Sequence, residues 1–147
     1  MDVYKTPNSE LIDDNNRPYK PVKGILVGLS YTIVLAMIAS VVLIFVFGFD
    51  LTSPNLESEM ANSGFFMLSD TIIGAIVLFF GGRAVGKRTP GKELKFGVIL
   101  AIITTVIYLI VMIPAESFKT YPLIYNLATF VITAIAIPYG SKSGAKT

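Results

Sequence analysis

Four long apolar runs constrain this chain more than any other feature of it. They fall at about residues 24–49, 64–86, 96–114 and 121–140, and the short polar pieces between them hold nearly all the charge. A soluble domain of this size would spread its charges along amphipathic helix faces. Runs that reach or approach roughly 20 apolar residues match the thickness of a bilayer core instead. They are continuous rather than alternating, and a barrel strand would be only about 10 residues long, so helix is preferred. The expectation is an all-α membrane protein, a four-transmembrane-helix antiparallel bundle over 24–140, with a polar tail at 1–23 and a short one at 141–147.

Basic residues set the orientation. The first tail carries Lys5, Arg17, Lys20 and Lys23, and the second connection carries Arg83, Lys87, Arg88, Lys92 and Lys95. The first connection, Asp50 to Ser63, has Asp50, Glu57 and Glu59 but no Lys or Arg; the third has Lys119 alone, and the last tail has Lys142 and Lys146. The positive-inside rule makes the basic side cytoplasmic, with both termini there: N-in, C-in. The run from Gly24 to Phe49 is too long for a signal-peptide core and follows a polar segment, so it reads as an uncleaved anchor.

Composition narrows the chemistry. The chain has no cysteine, hence no disulfide or thiolate, and no histidine, the commonest general base and metal ligand. Serine–histidine and cysteine–histidine catalysis are excluded. Neither a catalytic set, a metal site nor a cofactor is expected. Gly86 to Lys92 matches the first part of a P-loop, but Glu93 stands where the motif needs Ser or Thr, and the segment follows a membrane helix rather than a strand. It reads as a turn, so no nucleotide is expected. Nucleic acid is not expected either, since no soluble module shapes a groove.

Lipid tails are as apolar as leucine, so membrane helices associate through small residues and polar contacts. Each run has such a stripe. The first holds Gly24, Gly28, Thr32, Ala36 and Ser40; the second Asp70, Gly74 and Gly81; the third Gly97, Ala101, Thr104 and Tyr108; the fourth Asn126, Thr129, Thr133, Ala136 and Gly140. Gly24/Gly28 and Gly82/Gly86 also fit the close-approach spacing, for packing within the bundle or for a homo-oligomer. Counted along ideal helices, Gly24, Gly28, Gly82, Gly86, Gly97, Ala101 and Gly140 fall in the cytoplasmic half, while Ser40, Asp70, Tyr108, Asn126 and Thr129 share a layer in the outer half.

Asp70 is the only acid inside a run. An intramembrane carboxylate is costly, by about 2.5–3.5 kcal/mol on insertion scales, and faces a bundle interior or wet cavity. One reading makes it a proton- or cation-binding group supported by Tyr108 and Asn126. Two structural readings stand beside it: the N-cap of a helix that starts later than drawn, or a polar clasp between helices.

The tail Tyr4-Lys5-Thr6-Pro7-Asn8-Ser9-Glu10-Leu11, with Tyr19-Lys20-Pro21 before the first run, resembles the start of many small four-span bacterial inner-membrane proteins. Gly81, Gly82, Ala84 and Gly86 before a basic turn, then Glu93-Leu94 and Gly97, look like the same class. The resemblance implies a multi-pass protein of the bacterial inner membrane and no catalytic residue. Small multidrug exporters share the number of spans, but their membrane glutamate lies in the first helix beside an essential tryptophan; here that run has no acid and the chain has no tryptophan.

The function expected is non-enzymatic: an accessory, assembly or protective partner of another membrane component, contacted through the first tail or the Asp50–Ser63 connection. The alternative is a small oligomeric transporter or channel coupled through Asp70. The orientation is directly testable. A reporter fused after Thr147 should be active only in its cytoplasmic form, and exchanging the basic residues of the second connection for neutral ones should erode that bias.

Overall fold

A computed structural model describes residues 19–145. The tail motif Tyr4–Leu11, the basic residues Lys5 and Arg17, and Lys146 lie outside the described residues. The elements are α1 (Pro21–Val46), α2 (Leu56–Asn62), α3 (Gly64–Gly86), α4 (Glu93–Met112), α5 (Ser117–Thr120) and α6 (Leu123–Gly144), all helical. The four long helices α1, α3, α4 and α6 are long and apolar enough to cross a membrane. At about 1.5 Å per residue, even the 20-residue α4 spans a hydrocarbon core of roughly 30 Å. Large apolar side chains such as Val34, Ile38, Ile102, Ile110 and Val131 point outward on these helices, as lipid-facing residues must.

Local chemistry moved several ends away from the hydropathy boundaries. Proline at the first position, where its fixed φ suits a helix and its missing N–H costs nothing, starts α1 at Pro21 rather than 24. Gly48 stops it at Val46 rather than 49: with φ of 71° it lets Gly48 N–H reach Phe45 O and Phe49 N–H reach Ile44 O, the paired bonds of a Schellman ending. The third span, α4, covers 93–112 rather than 96–114, because Glu93 suits the positive end of a helix. The last runs from Leu123 through Ser141 and Lys142 to Gly144, past the fall in apolarity at 140. Ser63 caps α3, its hydroxyl accepting from Phe66 N–H at 3.3 Å. Asp70 therefore lies inside that helix, and its reading as a cap is overturned.

At the basic end, Pro90 and Gly91 (φ 75°) turn the chain between α3 and α4, closed by Lys92 N–H to Thr89 O at 3.0 Å. At the opposite end the connections are themselves folded, which hydropathy did not indicate. Asp50 accepts from the N–H and hydroxyl of Thr52, α2 packs on α3 and α5, and Phe66 sits edge-on to Phe47 and Phe49.

Two hairpins, α1–α3 and α4–α6, meet along α3 and α6, the most extensive interface of the bundle. Gly82 and Gly86 lie against the main chain of Ile137 and Ser141, while Gly140 and Gly144 lie against that of Phe79 and Arg83. A side chain at any of the four would collide with a carbonyl oxygen of the facing helix. The contacts are reciprocal: α3 and α6 run parallel, and an approximate two-fold relation exchanges the two sets. Gly28 and Gly81 bring α1 onto α3, with Thr32 against Gly81, and Gly97 brings α4 onto Pro138 and Ser141 of α6. The Ser141 hydroxyl then donates to Glu93 O at 2.6 Å. Around these contacts Val85, Leu100, Ala101 and Ile137 form a buried core in the basic half.

Gly24 also packs, against Arg88 and Thr89, so both close-approach pairs are used within one chain. Gly74 is different. Nothing lies within 4 Å of where its side chain would begin. Gly86→Leu should therefore destabilise the bundle by about 1–3 kcal/mol, the usual cost of overpacking. Gly74→Ala should be neutral or stabilising by up to about 1 kcal/mol through helix propensity. Thermal unfolding of the two variants in the same detergent checks the contrast.

Candidate functional site

Away from the glycine contacts the helices part around a cavity of about 370 Å³. It sits between the buried core of the basic half and a second cluster, Leu43, Ile44 and Phe66, at the other end. Gly28 of α1 approaches Leu100 of α4 in the basic half, and farther along the cavity separates these two helices. Ala36 and Ser40 line it yet are exposed, so the wall is open beside α1. Gly74, one turn beyond Asp70, widens it from the α3 side.

Asp70 is half-buried in this cavity, about 9 Å along α3 from its start at 1.5 Å per residue. Its Oδ2 accepts a hydrogen bond of 2.5 Å from the Tyr125 hydroxyl of α6. The Tyr125 ring stacks on Tyr121, centroids 5.1 Å apart, which limits the positions its hydroxyl can take. Tyr108 of α4 lines the same space, held edge-on by Phe118 and Phe130. The hydroxyls of Tyr108 and Thr104 are buried there without a hydrogen-bond partner among the described residues. Two buried, unsatisfied hydroxyls on one cavity wall are a standing demand for a partner.

Three threonine hydroxyls of the lining have given their hydrogens to their own helices. Thr32 donates to Gly28 O at 3.0 Å, Thr129 to Tyr125 O at 3.1 Å, and Thr133 to Thr129 O at 2.8 Å. A hydroxyl bonded back to its own helix presents only lone pairs outward. The lining thus offers a carboxylate, threonine oxygens, tyrosine rings and the free hydroxyls of Tyr108 and Thr104, and among the described residues it contains no Lys or Arg. Chemically it is a site for a cation or a hydrogen-bond donor with an apolar body. Its volume is within the range of small-molecule sites.

Of the residues picked out from sequence, Ser40, Asp70, Tyr108 and Thr129 line this one cavity. Asn126 does not. It is buried, donates to Tyr121 O at 3.2 Å, and leaves its Oδ1 unpaired away from Asp70. Tyr125 is the partner that sequence reasoning missed. Both 125 and 126 lie close to the helical stripe through Thr129, and an ideal helix does not choose between neighbours. Among the described residues no cluster of three or more metal-ligating side chains occurs. Outside the spans, Asp50 is held below the usual carboxylate range by the Thr52 backbone N–H and hydroxyl, so it stays ionised on the acidic end.

No family model matches the chain, and neither a curated protein nor a solved structure matches it. Residue roles therefore rest on this geometry alone.

Tyr125→Phe removes the one described hydrogen bond to Asp70 and keeps the ring. Stability should fall by about 1.5–3 kcal/mol, the range for a hydrogen bond to a charged group. In infrared difference spectra between wild type and Tyr125→Phe, the Asp70 carboxyl band should move; an unmoved band would mean that the contact does not govern the group.

Proposed function

We propose that this multi-pass helical membrane protein binds a small organic cation at Asp70 and acts as a transporter or channel subunit. The observation that carries the reading is the character of the cavity. One carboxylate, acceptor oxygens and three tyrosines face a space that no basic side chain among the described residues enters. Aromatic faces and a carboxylate together suit an ammonium group, through cation–π attraction and charge. The apolar remainder of the wall, including Ile73, Val77 and Leu78, suits its carbon substituents. A single four-helix bundle leaves little room for a continuous path, which favours an assembly of several chains. A bacterial inner membrane and the N-in, C-in orientation complete the proposal; they rest on the tail resemblance and on the basic residues at one end.

The chain has no tryptophan, and three of its seven tyrosines, Tyr108, Tyr121 and Tyr125, line the cavity, so tyrosine emission carries a signal from it. Tetraethylammonium should change it saturably, and Asp70→Asn should weaken binding about tenfold or more, because the ion has no N–H and is held by charge and by the ring faces. Reconstituted vesicles should take up the same ion in an Asp70-dependent manner. Wild-type protein that neither binds nor moves the cation defeats the reading.

An accessory role is favoured by a different observation. The connection carrying Glu57 and Glu59 is folded as α2 onto the bundle, a shaped acidic surface rather than a slack loop. A stoichiometric partner lost on Glu57→Gln and Glu59→Gln, with binding indifferent to Asp70, would favour it instead.

A further inference from the structure

A second concavity lies at the basic end, on the outer side of the α1–α3 hairpin and far from Asp70. Its volume is about 430 Å³, and Arg83 of α3 with Lys87 and Arg88 just past its end enter it together with Tyr31, Leu35 and Phe80. We infer that this groove binds the phosphate headgroup of an anionic phospholipid, with an acyl chain along its aromatic and aliphatic walls.

Three observations converge. Among the described residues, Arg83 Nε is buried without an acceptor, and a buried donor of this kind calls for one. Among the same residues no acidic side chain lines the groove, and Arg83 and Lys87 make no ion pair. Arg88 is braced along the helix by its Nη1–H bond to Ala84 O at 2.8 Å, which fixes one cation at the rim. The spacing of Arg83 and Lys87, one helical turn apart, puts both on the same face.

The source of the phosphate follows from the walls. A free anion in water would use only the three cations. Here Phe80 precedes Arg83 on α3 and so lies deeper in the bundle, and Tyr31 and Phe80 are 53% and 45% exposed toward the surroundings. The groove therefore opens sideways into the apolar zone, with its charges at the level of headgroups. That is the shape of a lipid site between membrane helices on a basic face. The other basic side chains nearby are outside it: Lys92 sits over the Tyr19 ring at 5.3 Å, and Lys95 is exposed.

The test uses the full chain in nanodiscs of phosphatidylcholine, with or without phosphatidylglycerol, and native mass spectrometry to count retained lipid. Wild type should retain phosphatidylglycerol over phosphatidylcholine. Lys87→Gln should lower that retention about fivefold, the usual weight of one basic residue at an anionic surface. Lys95→Gln should leave it unchanged, and Arg83→Lys, which keeps the charge but loses the buried Nε–H, should lower it; retention unchanged in Arg83→Lys overturns the inference. Inorganic phosphate added to phosphatidylcholine discs should not raise thermal stability as phosphatidylglycerol does. Absence of a lipid preference in wild type, an equal loss in Lys95→Gln, or equal stabilisation by inorganic phosphate would each overturn the inference. Lys87 is exposed, so its variant is not expected to misfold.

Discussion

Main chain against main chain, at the four glycines between α3 and α6, is the contact on which the rest of the bundle depends. In water a bundle is gathered by burial of its apolar stripes, but a bilayer offers those stripes an equivalent solvent. What remains is close van der Waals approach, and that is greatest where no side chain stands between two helices. The hairpins bring α1 and α4 to the outside of this seam through Gly28 and Gly97. Tight closure in one half and parting in the other follow from the same cause. Beyond Gly81 toward the start of α3, the residues facing the interior are larger or polar, and Gly74 meets nothing. A cavity opens where the glycine contacts run out.

This arrangement puts each kind of chemistry in its own layer. The basic half is close-packed and carries its charges on the rim, where Arg83 and Lys87 face outward. The other half holds a carboxylate, tyrosines and hydroxyls around a void, beneath a folded cap of α2 and aromatic rings. Asp70 is tolerable in such a place because Tyr125 supplies a donor and the cavity leaves it only half-buried.

Much of the architecture was legible in the residues alone, because a bilayer demands long apolar runs and tolerates no irregular backbone exposed to lipid. The second helix, 64–86, coincides with its apolar run. Where ends differ, the deciding chemistry was that of single residues, such as Pro21, Gly48 and Glu93, to which a hydropathy window is blind. The short helices α2 and α5 were invisible for the same reason. Grouping Ser40, Asp70, Tyr108 and Thr129 needed only depth along straight helices, and the structure lines one cavity with all four. Choosing Asn126 over Tyr125 needed the rotation of α6, which depends on how Gly140 and Gly144 seat against α3. Gly74 likewise shared a stripe with Gly81, yet only Gly81 meets another helix.

The α3–α6 seam joins the second span to the fourth, and that order has a consequence for biogenesis. When the first hairpin enters the bilayer from the ribosome, Gly82 and Gly86 have no complementary surface and must wait against lipid. Only insertion of the last helix supplies Ile137 and Ser141 to cover them. The seam is thus the last contact the bundle can close, and a chain arrested before its final span would carry an unmatched notch open to any other small-residue helix nearby.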